Sequence, residues 1–104
     1  MAKAQIENGY VRIANDLIDA ITGADLALNE IQMLLAIIRL SYGWNQKDTG
    51  GRASMKNLCA LTGMVERRVY YSLKSLIEKA LVLKGKSLHR SNIYQINTDI
   101  DTWK

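Results

Sequence analysis

The sequence contains one cysteine, one histidine and no proline among its 104 residues. A single cysteine cannot form an internal disulfide and fits a reducing compartment, so we expect a cytoplasmic protein. One histidine argues against a zinc site built from histidine and cysteine ligands. No low-complexity tract or internal repeat divides the chain. Its length predicts a single domain over residues 1–104, with a core from about residue 10 to residue 97.

Long apolar runs are also missing. The stretch from Ile31 to Leu40 is apolar but is interrupted by Arg39, whereas a membrane-spanning helix needs about 18 or more such residues. The first residues lack the apolar segment of a secretory signal. We therefore expect no association with a membrane.

Motifs for catalysis are weak. Gly50 and Gly51 lack the following Lys-Ser or Lys-Thr of a nucleotide-binding loop. Cys59 and His89 could be combined as nucleophile and base, but Cys59 falls on the predicted inward face of a helix, where a buried structural thiol is commoner. Asp99 and Asp101 resemble a carboxylate pair, but a solvated C-terminal tail is the favoured interpretation. The sequence predicts no enzyme, no cofactor and no metal.

Charge is divided unevenly along the chain. Residues 1–51 carry four basic and six acidic groups, whereas residues 52–104 carry ten basic and four acidic groups. A cationic half favours an anionic polymer as partner. A lysine-rich solvated surface is the alternative explanation.

Two helices are predicted in the first half. A helical stripe covers residues 10–22, with Gly23 as its stop and with these apolar positions: Val11, Ile13, Ala14, Leu17, Ile18 and Ile21. A second helix is predicted from Leu28 to Ser41, capped by Asn29 or Asp25, with Glu30 in its first turn. It should be the central buried helix because its apolar stripe is wide, with Ile31, Leu34, Leu35, Ile38 and Tyr42 flanked by Met33, Ile37 and Leu40.

The second half reads as helix, turn, helix and strand hairpin. Ser54 is the predicted N-cap of a helix that turns Met55, Leu58, Cys59 and Leu61 inward, and Gly63 ends it in a left-handed conformation. A basic helix follows over residues 65–79, and strands are predicted at 81–84 and 92–97. Residues 51–53 should form a short strand against this hairpin. The expected fold is α+β and mainly helical, a winged helix-turn-helix with an extra N-terminal helix.

The helix at residues 65–79 is the candidate recognition helix. Its predicted inward face is Val69, Ser72, Leu73 and Leu76. Arginine and lysine on the other face can pair with guanine or meet phosphate, and tyrosine can donate to phosphate or stack. The alternative is an exposed amphipathic helix with ordinary charges. The predicted DNA-binding residues on this helix are Glu66, Arg67, Arg68, Tyr70, Tyr71 and Lys74.

The hairpin is the candidate wing. Cations on its short loop repel one another, and a phosphate backbone would neutralise them. A solvated turn is the alternative. The predicted contacts of the wing and its flanks are Arg52, Ser54, Lys56, Lys84, Lys86, His89 and Arg90.

Two further segments carry a family resemblance. Residues 9–15, and residues 36–45 with their Tyr-Gly-Trp-Asn end, resemble the N-terminal domain of the phage replication protein O family. The resemblance runs from about Gly9 to Ile96. It implies a winged-helix domain that binds double-stranded origin DNA in a bacterial host, often as a homodimer on inverted half-sites. It also implies a further C-terminal region that recruits host replication proteins, so we expect this chain to be a fragment or a short relative.

The resemblance places Arg67, Arg68, Tyr71 and Lys74 on the recognition helix. Two residues depart from the pattern. Val65 stands where many winged helices have a serine or threonine cap, and Glu66 would be repelled by phosphate unless it accepts from a cytosine amino group.

The prediction is therefore sequence-specific binding of double-stranded DNA, for recognition of a phage replication origin. The alternatives are a small winged-helix transcriptional regulator and a protein-interaction module whose basic face meets an acidic partner. Trp44 and Trp103 either cover the core or lie in a dimer contact. The first helix, with Leu17, Ile18 and Ile21, is the other candidate for self-association.

Overall fold

A computed structural model describes Ala4 and residues 11–42, 54–86 and 92–104; for Ser41, Tyr42 and Lys86 it describes the backbone alone. These residues form four α-helices and one antiparallel strand pair. The helices are α1 (Asn15–Thr22), α2 (Leu28–Tyr42), α3 (Met55–Thr62) and α4 (Glu66–Glu78), and the strands are β1 (Val82–Lys86) and β2 (Asn92–Ile96). The α+β, mainly helical class is confirmed, and the element order is compatible with a winged helix.

The first helix is shorter than predicted. It begins at Asn15 rather than near residue 10, and Ala14 before it is extended with ψ 142°. Val11 and Ile13 pack against the core while Arg12 and Ala14 are exposed, which is the alternation of an extended segment. Of the residues proposed for self-association, Leu17 is buried and Ile21 packs on the core, so Ile18 alone reaches solvent substantially.

The second helix is central, as predicted, but its buried row is shifted by one position. Glu30, Met33, Leu34, Ile37 and Ile38 are buried, a row at helical spacing. Leu35, predicted inward, is 61% exposed because it lies about 200° round the helix from the buried Ile37, nearly on the opposite side. The start of α2 is also different, since neither Asn29 nor Asp25 caps it. The Glu30 carboxylate instead accepts a hydrogen bond from the Ala27 N–H at 2.8 Å.

The third helix has the predicted ends. Ser54 accepts from the Asn57 N–H at 3.4 Å, and Gly63 closes the helix at φ 74°. Leu58 is fully buried, with Met55 and Cys59 half-buried. Leu61, predicted inward, is exposed because Thr62 completes the row at spacings of three and four.

The fourth helix buries the four predicted positions, Val69, Ser72, Leu73 and Leu76. It packs on both α2 and α3 and is followed directly by the hairpin. In the hairpin Val82 faces Ile96 and Lys86 faces Asn92. Ser54 adds an isolated antiparallel bridge to Ile93. The predicted strand at 51–53 lies outside the described residues.

The C-terminal segment is docked, whereas a solvated tail was predicted. A short 3₁₀ helix (Ile100–Thr102) precedes Trp103, whose indole Nε1 donates to the Asn97 carbonyl at 2.9 Å. Trp103 packs against the core, so one of its two predicted roles is confirmed. Asp99 and Asp101 remain exposed. Trp44 lies outside the described residues.

Candidate nucleic-acid interface

A three-residue turn sets α4 against α3. Gly63 donates its N–H to the Cys59 carbonyl at 2.9 Å from a left-handed conformation that a side chain would strain. The Thr62 hydroxyl donates to the Leu58 carbonyl at 2.7 Å and accepts from the Met64 N–H at 3.2 Å. Gly63 and Met64 are thus both bonded back to α3, which restrains the turn that precedes α4.

The inner face of α4 is bonded to α2. Asn29 donates to the Ser72 hydroxyl at 2.7 Å, and that hydroxyl donates to the Arg68 carbonyl at 2.9 Å. Ser75 donates to the Glu30 carboxylate at 2.6 Å, and Lys79 lies 2.9 Å from the same group. These bonds orient α4 and so determine which of its side chains face solvent.

The Glu30 carboxylate is the centre of this network. Burial tends to raise its pKa, but hydrogen bonds from Ser75, the Ala27 N–H and Lys79, with the Lys79 charge, outweigh burial and hold the pKa below its ordinary value. The group is therefore ionised when folded at neutral pH. Its role is structural, because all its partners belong to the fold.

The outer face of α4 carries the predicted recognition residues. Tyr70 and Tyr71 are 53% and 55% exposed and meet edge to face, with ring centroids 5.3 Å apart. The Arg67 guanidinium carbon lies 5.9 Å from the centre of the Tyr71 ring, within the range of a cation–π contact. The predicted residues of this helix are all exposed on α4: Glu66, Arg67, Arg68, Tyr70, Tyr71 and Lys74.

The predicted wing residues are only partly described. Lys84 is exposed on β1, Lys56 is exposed on α3, and Ser54 is half-buried and acts as a cap. Lys86 is the last residue of β1. Arg52, His89 and Arg90 lie outside the described residues.

A cleft joins α4 to the hairpin. It has a volume of about 250 Å³ and is lined by Tyr70, Leu73, Lys74, Ile77, Glu78, Lys84 and Tyr94. Lys74 from α4 and Lys84 from β1 therefore share one depression although ten positions separate them in sequence. The shared cleft unites the basic helix and the hairpin in one cationic surface.

Tyr94 is a residue of this cleft that the sequence prediction missed. It is buried, and burial raises the pKa of its phenol, with a smaller rise from Tyr70 and an opposing hydrogen bond involving Asn92. Its phenol therefore stays neutral at physiological pH. The alternation of β2 was a signal that it faces inward, but nothing local indicated α4 as its neighbour.

A second, larger cavity of about 650 Å³ lies beside α1 and the C-terminal segment. Its charged lining residues are Asp19 and Asp25 with Lys79 and Lys104. Because two acidic groups balance two basic ones, this cavity has no net charge to favour an anion, whereas the cleft between α4 and the hairpin has two lysines against Glu78.

The described residues offer little to metal or nucleophilic chemistry. Within them, no group of three His, Cys, Asp or Glu side chains is placed to hold a metal ion. Cys59 is half-buried on α3 rather than fully buried, and its suggested partner His89 is not described. In the same part of the chain, no helix has the length and apolar content needed to cross a bilayer.

Comparison with known proteins agrees with the sequence resemblance. Residues 2–103 match the family model described as bacteriophage replication protein O. The chain belongs to the replication protein O family. Family membership connects it with phage DNA replication.

Three relatives show how far the sequence similarity extends along the chain. Replication protein 15 of Enterobacteria phage phi80 is 33% identical over 96% of this chain and 32% of its own length. DNA replication protein gp18 of Salmonella phage P22 is 27% identical over 97% and 35%. Replication protein O of Escherichia phage lambda is 46% identical over a shorter segment, 41% of this chain and 13% of its own length. The chain thus spans about a third of the relatives matched along its whole length, and no solved structure matches it.

Proposed function

We propose that this chain is a winged-helix domain that binds double-stranded DNA, without catalysis, and recognises a phage replication origin. The observation that carries this proposal is the common cleft of Lys74 and Lys84, beside the exposed Arg67 and Tyr71. Two elements of different type present cations on one surface, as expected when a helix enters the major groove and a hairpin follows the backbone. The names of the relatives support replication as the process.

Charge distribution supports the same proposal. Among the residues described, Lys79 is the basic side chain that forms an ion pair, and it does so on the inner side of α4. Arg67, Arg68 and Lys74 reach solvent on the outer side. A phosphate backbone would neutralise these charges and release counterions, which makes binding favourable at low salt.

In this proposal, contacts with host replication proteins are made by other parts of the longer family members, outside the roughly one third that this chain matches. Self-association on paired half-sites stays a prediction.

The decisive experiment is selection of bound sequences from a random duplex pool by the full 104-residue chain. The proposal predicts an enriched site that is bound about 10³-fold or more tightly than random duplex. Repeats of that site clustered beside or within the gene itself would support origin recognition. A single palindrome near a promoter would support a transcriptional regulator instead. Failure to enrich any site, with weak binding that vanishes in salt, would contradict DNA recognition and favour a protein-interaction module.

A further inference from the structure

Val65 stands at the start of α4 without supplying a cap. It is the N-cap of α4, with an extended backbone at φ −71° and ψ 156°, and it makes no side-chain cap. Serine, threonine, aspartate or asparagine at an N-cap stabilises a helix by satisfying a free backbone N–H, which valine cannot do. Of the other helices, α3 uses Ser54 for this purpose, whereas α1 begins at Ala14 without a side-chain cap. Capping therefore gives no reason for a valine at this position.

Packing does not explain Val65 either. Its side chain is 70% exposed. The apolar residue that commonly braces a helix start lies one position before the cap and faces the fourth helical residue. In this chain those positions are Met64, which packs against the core, and Val69, which is fully buried. Val65 is thus an apolar side chain held in solvent at the first turn of α4.

The location of Val65 suggests its use. In helix-turn-helix docking, the N-terminal residues of the second helix contact base edges in the major groove. The one apolar group on those edges is the 5-methyl group of thymine. Positions that break a local folding rule without a structural gain are expected at functional sites.

We infer that Val65 is a specificity-determining residue that contacts the 5-methyl group of a thymine in the major groove. This inference rests on the proposed function, because it needs α4 to be the recognition helix. The contact excludes water from both apolar groups and makes no hydrogen bond. It favours thymine over cytosine and uracil, which lack the methyl group.

Replacing thymine by deoxyuridine tests the contact, because it removes the methyl group and leaves base pairing unchanged. Each thymine of the selected site is replaced in turn, and affinity is measured for the parent chain and for Val65→Ser. The parent should lose about fourfold in affinity at one thymine, the value expected for one buried methyl group. Val65→Ser should bind the thymine and deoxyuridine forms of that position equally and keep the parent's response at every other thymine.

Two controls distinguish a role of Val65 in thymine recognition from a role in stability. Val65→Ser supplies the missing cap, so its Tm should rise while its discrimination falls, which a merely structural role would not produce. Leu28→Ala is the matched control, since Leu28 is 71% exposed at the first turn of α2, and it should keep the fourfold response. A selected site whose thymine responses are unchanged in Val65→Ser would overturn the role of Val65 and leave the proposed function standing. A pool that yields no enriched site would overturn both.

Discussion

Polar side chains on the inner face of α4 are bonded to α2, whereas those on its outer face are directed to solvent. Ser75 and Lys79 both reach the buried Glu30 carboxylate. Arg67 contacts the Tyr71 ring of its own helix and is otherwise exposed. One helix therefore carries charges of two kinds. The inner ones orient the helix, and the outer ones are available to a partner.

The comparison predicts opposite effects for changes on the two faces. A change to the inner network should reduce the free energy of unfolding, while a change on the outer face should reduce DNA affinity and leave stability nearly constant.

Glu30→Ala should destabilise the protein by about 3 kcal/mol, because it removes charged hydrogen bonds to Ser75 and Lys79 and the bond from the Ala27 N–H. Urea unfolding measures the loss. Glu78→Ala, an exposed acidic residue at the end of α4, is the control and should change stability by no more than about 0.5 kcal/mol. Equal losses in both variants would remove the distinction between the two faces.

Lowering the pH should remove part of the stability that the ionised Glu30 contributes. The folded-state pKa of Glu30 lies below its ordinary value of 4.5, so its ionised form adds stability that is complete above that pH. This stability is lost as the pH falls through the lower, folded-state pKa. The difference in unfolding free energy between the parent and Glu30→Gln should therefore shrink as the pH is lowered from 7 to 3. A difference that grows on acidification would reverse the assigned direction of the pKa shift.

Arg67→Ala and Lys74→Ala should each weaken binding to the selected site by roughly 1–3 kcal/mol if the lost contact is to a base. Thermal unfolding should change little, because both residues are exposed. Arg39→Ala, an exposed arginine on α2, is the matched control. Parent-like affinity and base preference in both α4 variants would show that the outer face is not the recognition surface.

Lys84→Ala should weaken binding to all duplexes similarly and lower the slope of log affinity against log salt by about one, since a hairpin lysine meets phosphate rather than bases. Lys104→Ala, an exposed lysine at the C-terminus, should leave the slope unchanged. A loss confined to one base preference would mean that the hairpin reads sequence.

Ala80→Gly should stabilise the protein slightly, by about 0.5 kcal/mol, because Ala80 has a left-handed φ of 63° just after α4. Its carbonyl accepts from the Asn97 side chain at 2.7 Å, and glycine keeps that bond. Ala60→Gly in the exposed face of α3 is the opposite control and should cost about 1 kcal/mol. Destabilisation by both changes would show that position 80 is not strained.

Local signals predicted the second half of the chain well. The Ser54 cap, the left-handed Gly63 and the four inward positions of α4 each depend on neighbours within one or two helical turns. They were therefore readable from the sequence. The outward placement of Arg67 and Lys74 follows from the same periodicity, although DNA binding by them stays a prediction.

Two of the errors occurred where a residue distant in sequence decided the outcome. In α2 the buried row includes Glu30. Because Glu30 is charged, the neighbouring row of apolar residues, which contains Leu35, was predicted to face the core. Burial of Glu30 depends on Lys79, forty-nine positions away. The docked Trp103 likewise depends on the Asn97 carbonyl and on a core formed by other elements.

The sequence by itself determined the order of the elements, the ends of α3 and α4, and the family, because caps, periodicity and motif spacing are local properties of the chain. The tertiary structure alone decided which row of α2 is buried, that Lys74 and Lys84 share a cleft, and that Val65 is left exposed at the start of α4. The reason is that burial and shared surfaces are set by packing between residues far apart in sequence, where a charge can be buried if its partner arrives from another helix.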